Sequence, residues 1–342
     1  MQYILIALLS AVLFGASTPI GKILLDSLPP FQLAGLLYIG AAIGVLPFSL
    51  RQRNAKKIHR IGKRNILRLI GAISFGGVAG PVLLLFGLQK APAASVAMWL
   101  NLELIATAIL GCLLFREYLG GYGWVGVIGT IGASVMLSWH GGTIGMYALL
   151  LVAAAGICWG IDNHLTALID GITPTQSTFW KGAIAGGTNL IISVILESYG
   201  KAVWILASGI IVGVFSYGFS ISLYILAAQN LGATRSQMIF ASAPFFGVAL
   251  SIILLNESIS AIQAAAAAIL VFSLTVLLRD QHSHSHTHEP LHHKHRHRHD
   301  DGHHDHVHTE DEGPVYHSHW HTHEPITHAH PHWPDIHHRH RH

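Results

Sequence analysis

The sequence predicts an all-α polytopic membrane protein. Ten transmembrane helices form two inverted five-helix repeats, and a disordered tail follows. Three observations lead there. The 342 residues are 51% hydrophobic and only 11% charged, where soluble domains carry about 25% charge, and the mean hydropathy is +0.47. Apolar runs near the ~20 residues needed to cross a bilayer recur from Tyr3 to Leu278. Segments of the first half return in the second at a nearly constant offset.

The runs divide into spans at 3–25, 31–50, 66–88, 92–114, 121–139, 145–168, 176–196, 202–226, 234–255 and 260–278. Met1–Leu25 lacks a basic leader and is too long an apolar run for a cleaved signal, so it reads as an uncleaved first span. A membrane barrel is excluded, because the runs are too long and lack period-2 alternation. The connector RQRNAKKIHRIGKRN (Arg51–Asn65) carries seven Lys or Arg and no acid, which places it in the cytoplasm. Ten spans then put both termini there too, in the cell (inner or plasma) membrane. Cys112 and Cys158 both fall within spans without metal-type spacing and read as small packing residues.

The chain is built twice. LLDSLPPFQ (Leu24–Gln32) matches LIDGITPTQ (Leu168–Gln176) at a shift of 144, and LLFREYL (Leu113–Leu119) matches ILLNESI (Ile253–Ile259) at 140, so that Glu117 falls on Glu257. FGAS (Phe14–Ser17) falls on WGID (Trp159–Asp162) at 145. The repeats cover 3–139 and 145–278, with the tail at 281–342. Five spans per copy is an odd number, so the second copy is inverted relative to the first. Inverted repeats let a carrier exchange two conformations, with the substrate near the midplane between them.

The order of FGASTPIGK, LPPFQ, LLFREYL and a second copy, with WGIDNHLT and FWKG in that copy, resembles the EamA-type drug/metabolite transporter family over about residues 1–278. The resemblance implies a ten-helix secondary carrier that exports amino acids, metabolites or drugs, and it names no substrate. Family members often carry an Arg early in the second span. This chain has LLYIGA (Leu36–Ala41) there, so no substrate contact is transferred to that position.

Ionisable residues inside spans cost about 2.5–3.5 kcal/mol on insertion scales and mark candidate sites. Glu103 shares a face with Trp99 and Thr107 and reads as a proton-coupling group, a cation anchor or a hydrogen-bonded structural acid. Trp159, Asp162, Asn163 and Thr166 stand at i, i+3, i+4 and i+7, one polar stripe with an aromatic at its end. His164 lies about 200° round the helix from Asp162, too far to chelate one ion with it, and reads as an interhelical hydrogen-bonder. Lys181 is the nearest counter-charge in sequence to Asp162, as a cavity-lining or register-fixing pair. Lys22 snorkels to the interface or meets an anion at the outer mouth. Pro19, Pro81 and Pro244 interrupt spans, while Gly40/Gly44, Gly76/Gly80, Gly182/Gly186 and Gly209/Gly213 permit close helix approach.

All but three of the 27 histidines (His59, His140 and His164) follow Gln281. The tail is duplicated: HSHSHTHEP (His282–Pro290) recurs as HSHWHTHEP (His317–Pro325). Such a composition builds no core and reads as disordered. Its His-x-His alternation suits Zn, Ni, Co or Cu, with His282, His284, His286, His288, His292, His293, His295, His317, His319, His321 and His323 as candidate ligands. A titrating, lipid-gripping tail is the alternative.

The expected function is secondary transport of a small metabolite, in the export direction, with a metal-binding regulatory tail. A Ni/Co/Zn transporter and a membrane-anchored metal buffer or sensor are the other readings. No nucleophile–base arrangement, phosphate loop or metal triad stands in the spans, so no enzyme activity is expected. The expected partners are a small molecule or ion and the lipid bilayer, with a homodimer left open. No nucleic acid and no required cofactor are expected.

Overall fold

A computed structural model describes residues 2–51, 62–115, 120–139, 142–169, 173–196, 202–231, 239–279, 282–287, 291–297, 317–323 and 327–332. Much of the basic connector, together with Glu117 and His288, lies outside these residues. The described chain divides into a helical unit within Met1–Asp280 and a second unit within Gln281–Trp333.

Eight helices of the first unit are long and apolar enough to cross a membrane: α1 (Gln2–Leu24), α2 (Pro30–Arg51), α3 (Lys63–Lys90), α4 (Ala93–Leu113), α5 (Gly121–Trp139), α6 (Gly142–Thr166), α7 (Thr175–Leu196) and α8 (Val203–Tyr224). Two shorter apolar helices, α9 (Ala243–Leu255) and α10 (Ala261–Leu277), complete the ten. The ninth is shorter than the expected 234–255 because its helix starts afresh after a turn at 241–242, with Pro244 in its first turn. There the missing N–H of proline has no intrahelical partner to lose. Pro19 likewise sits in the first turn of Ser17–Leu24, after α1 breaks at Ala16.

The repeats are visible in backbone geometry. A π-helical segment interrupts α3 at Ile73–Ala79 and another interrupts α8 at Gly213–Phe219. The two have the same length and are offset by the same 140 residues that relate Glu117 to Glu257. Matched glycines make matched crossings. A Cβ on Gly15 would overlap the Ala243 carbonyl of α9, and one on Gly160 would come 3.1 Å from the Thr107 amide of α4. Gly40 of α2 and Gly213 of α8 meet backbone to backbone, and so do Gly35 of α2 and Gly186 of α7. Small residues at such crossings replace the hydrophobic driving force that lipid does not supply.

Helix ends are tied across the chain. Lys22 Nζ donates to the carbonyls of Leu88 (2.6 Å) and Ala91 (3.0 Å) at the end of α3. Arg68 donates to the Leu168 carbonyl at the end of α6. Both place a cation at the negative end of a helix dipole. Glu257 of the second repeat accepts from the amides of Ala93 (2.8 Å) and Ala94 (2.9 Å), one oxygen to each, and so caps α4 of the first. We expect Glu257→Ala to cost about 1–2 kcal/mol and Glu257→Gln less, read from thermal unfolding of purified protein in detergent.

Four segments of the tail are described. Its described residues form four strands, β1 (His282–Thr287), β2 (Leu291–His297), β3 (His317–His323) and β4 (Thr327–His332), in two antiparallel pairs, β1 with β4 and β2 with β3. The His-x-His alternation has the period of a strand. The two copies of HSH do not pair with each other; each pairs with a different His-rich segment. Pro331 is accommodated in β4 because each strand of a two-stranded sheet has an unpaired edge.

Candidate functional site

Two glycine faces draw α6 into contact with α3 and α4. Gly156 and Gly160 let α6 lie against the backbone of α4 at Glu103 and Thr107. On α3, a Cβ at Gly76 would overlap Asp162 Oδ2, and one at Gly80 would come within 2.8 Å of Trp159 Nε1. The glycine pair that reads in sequence as a packing device is therefore the seat of a charged group.

Asp162 is buried, at 6% exposure. Lys181 Nζ of α7 lies 2.6 Å from each of its carboxylate oxygens, and Thr166 Oγ1 donates to Oδ1 at 2.9 Å. This is the one ion pair among the described residues. The π-helical turn beside it offers the Gly76 carbonyl, which accepts from Trp159 Nε1 (3.0 Å) and from the Tyr38 hydroxyl (2.6 Å). An i→i+5 register frees a carbonyl for such use, and π-bulges recur at functional sites. Gly77 in the same turn packs on Ala185 and the Lys181 stem.

The stripe expected on α6 divides. Trp159, Asp162 and Thr166 face α3 and α7, whereas Asn163 turns to α4. Its Nδ2 lies 3.2 Å from both Glu103 Oε1 and Thr107 Oγ1. The 100° step between neighbours is enough to send Asp162 and Asn163 to different helices. His164 is buried, with Nε2 3.0 Å from the Thr107 carbonyl. Asp162, Lys181, Trp159, Thr166, Asn163 and Glu103 are thus brought together where α3 and α4 of the first repeat meet α6 and α7 of the second. Lys22 is not among them, being bound to the carbonyls that end α3.

Sequence reasoning missed Tyr38, Tyr217 and the Gly76 carbonyl. It also left Glu257 as a repeat match without a role, although the uncapped start PAAS (Pro92–Ser95) after a proline was a usable signal. A separate cavity of about 480 Å³ lies where α4, α6 and α10 begin, lined by Lys90, Ser95, Trp99, Asn256, Glu257 and Gln263. None of the charged cluster lines it. Among the described residues no group of three or more His, Cys, Asp or Glu could hold a metal ion.

A ten-helix core of two repeats, with ionisable side chains placed between them, defines a polytopic membrane transporter. The chain belongs to the EamA-like transporter family, whose model matches residues 1–139 and 146–279. It is similar to an uncharacterized transporter of Methanothermobacter thermautotrophicus, 26% identical over 290 residues, covering 78% of this chain and 83% of that protein. It is also similar to an uncharacterized transporter of Synechocystis, 23% identical over 298 residues, covering 78% and 86%. A protein of known crystal structure shares the fold at TM-score 0.61 and 16% identity, over 81% of this chain and 96% of that one.

Proposed function

We propose that the protein is a secondary carrier that exports a small metabolite by alternating exposure of a site between its repeats. The observation that carries this is the placement of Asp162–Lys181 and Glu103–Asn163 on the seam, with α6 and α7 from one repeat against α3 and α4 from the other. Charged groups in hydrocarbon are expensive, and these sit where a rocking motion of the repeats would rearrange their neighbours. The cell membrane, with both termini cytoplasmic, is the orientation the Arg51–Asn65 charges favour. Counterflow in proteoliposomes with a metabolite panel tests the reading. We expect accumulation of one compound class, reduced at least tenfold in Asp162→Asn. Uptake that is identical in wild type and Asp162→Asn removes the site.

We further propose that the tail binds transition metal and regulates the carrier. The strand registers set histidine opposite histidine at 282/332, 284/330 and 286/328, and again at 293/321, 295/319 and 297/317. Repeated imidazole at opposed positions suits Zn2+, Ni2+, Co2+ or Cu2+, and this also supports a second reading in which a metal ion is the cargo. Comparing the full chain with a chain ending at Arg279 separates the two. Loss of bound metal with transport retained supports a regulator. Labelled Ni2+ or Zn2+ moving only with Asp162 and Glu103 intact supports cargo. Unchanged metal binding by the shortened chain sinks the tail's role.

A further inference from the structure

The charges of the central cluster do not balance. Lys181 gives both of its short contacts to Asp162, so that pair is neutral as a unit. The Glu103 carboxyl accepts from the Asn163 amide, and no cationic side chain among the described residues forms an ion pair with it. An acid placed at mid-span without an ion-pair partner is neutralised by a proton or by a cation from outside.

A row of aromatic rings starts from the same cluster, at Tyr38, whose hydroxyl shares the Gly76 carbonyl with Trp159. Tyr38 and Tyr217 have centroids 5.6 Å apart, Tyr217 and Phe14 5.8 Å, Phe14 and Phe240 5.4 Å, and Phe240 and Tyr224 5.0 Å. The row links α2, α8, α1 and the segment before α9, and it crosses the repeat boundary three times. Trp159 and Asn163 stand one turn apart on α6, the first sharing a carbonyl with Tyr38 of the row and the second holding Glu103. Tyr38 and Tyr217 are buried, whereas Phe14, Tyr224, Phe240 and Glu103 keep accessible surface and Asn163 is exposed. The row is also where the repeats differ. Phe14 and Ser17 occupy the positions of Trp159 and Asp162, and Tyr217 stands where the first repeat has Gly77. One half of the seam thus holds an ion pair and the other holds a row of tilted rings. Ring faces attract cations, most strongly where water is excluded.

We propose that the seam binds an organic ammonium ion with an apolar or aromatic body, Glu103 serving as its counter-charge and the Tyr38–Tyr217–Phe14–Phe240–Tyr224 row as its seat. This rests on the carrier reading above and names its substrate class. An anionic metabolite is disfavoured because Lys181 is already committed to Asp162. A neutral one leaves Glu103 unmatched.

The test uses the full chain in detergent with three probes of one shape, phenethylammonium, phenylacetate and 2-phenylethanol, measured by equilibrium binding. Saturable binding of the ammonium, at least tenfold tighter than the other two, is expected. Glu103→Gln should weaken it about tenfold while Glu103→Asp keeps part of it, and Phe240→Ala should weaken it several-fold. The probe comparison in wild type needs no variant to fold. Phenylacetate binding as tightly as the ammonium, unchanged affinity in folded Glu103→Gln, or no saturable ammonium binding each overturns the assignment. Counterflow then distinguishes the two levels. Ammonium binding without exchange keeps the site and removes the carrier. Exchange of the acid or the alcohol with Glu103 dispensable removes the cation site and keeps the carrier.

Discussion

Lys181→Met destabilises the helical core by about 3–5 kcal/mol, because it leaves Asp162 buried without its counter-charge. Asp162 keeps the Thr166 hydroxyl, which offsets only part of that loss. Asp162→Asn is milder. Lys181 is the more accessible partner, with 18% of its side chain exposed against 9% for Asp162, and a flexible ammonium can turn toward water. The double variant Asp162→Asn/Lys181→Met therefore recovers most of the stability lost in Lys181→Met without recovering transport. Thermal unfolding in detergent and counterflow on the same preparations check this. A double variant as unstable as Lys181→Met would mean that the pair is not coupled.

Gly76→Val is the second large effect. The new side chain occupies the position of Asp162 Oδ2, so either α6 moves away from α3 or the π-helical turn is rebuilt. Overpacking of this kind costs about 1–3 kcal/mol, and the displacement also strains the hydrogen bonds from Tyr38 and Trp159 to the Gly76 carbonyl. Transport should fall at least as far as in Asp162→Asn. Gly132→Ala is the control. Nothing lies within 4 Å of a Cβ there, so alanine is neutral or stabilising by up to about 1 kcal/mol. Equal melting temperatures for Gly76→Val and wild type would remove the glycine seat.

Much of the site is legible in one dimension. Asp162 and Lys181 stand out because hydrocarbon penalises each ionised residue separately, and their closeness in sequence already suggests that they pair. The π-helical turns are not legible, because ISFGGVA and GVFSYGF carry the same apolar pattern as an α-helix and the register shift follows from what packs against them. Glu103 shows itself as a buried acid, but its partner does not. Asn163 reads as part of the Asp162 stripe until the glycines of α6 bring α4 alongside. The aromatic row is spread over residues 14 to 240, and single aromatics in apolar helices carry no pattern.

By itself the sequence determines that this chain spans a membrane in ten helices built from two odd-numbered copies. Transfer from water to hydrocarbon is a sum over residues in one segment, and repetition needs only two segments to compare. The tertiary structure alone decides that Glu257 caps the opposite repeat, that Gly76 seats Asp162, that Asn163 serves Glu103, and that Phe14, Tyr38, Tyr217, Tyr224 and Phe240 form one row. Each of these depends on which helix faces meet, and that is settled by close packing between segments up to 226 residues apart (240 − 14).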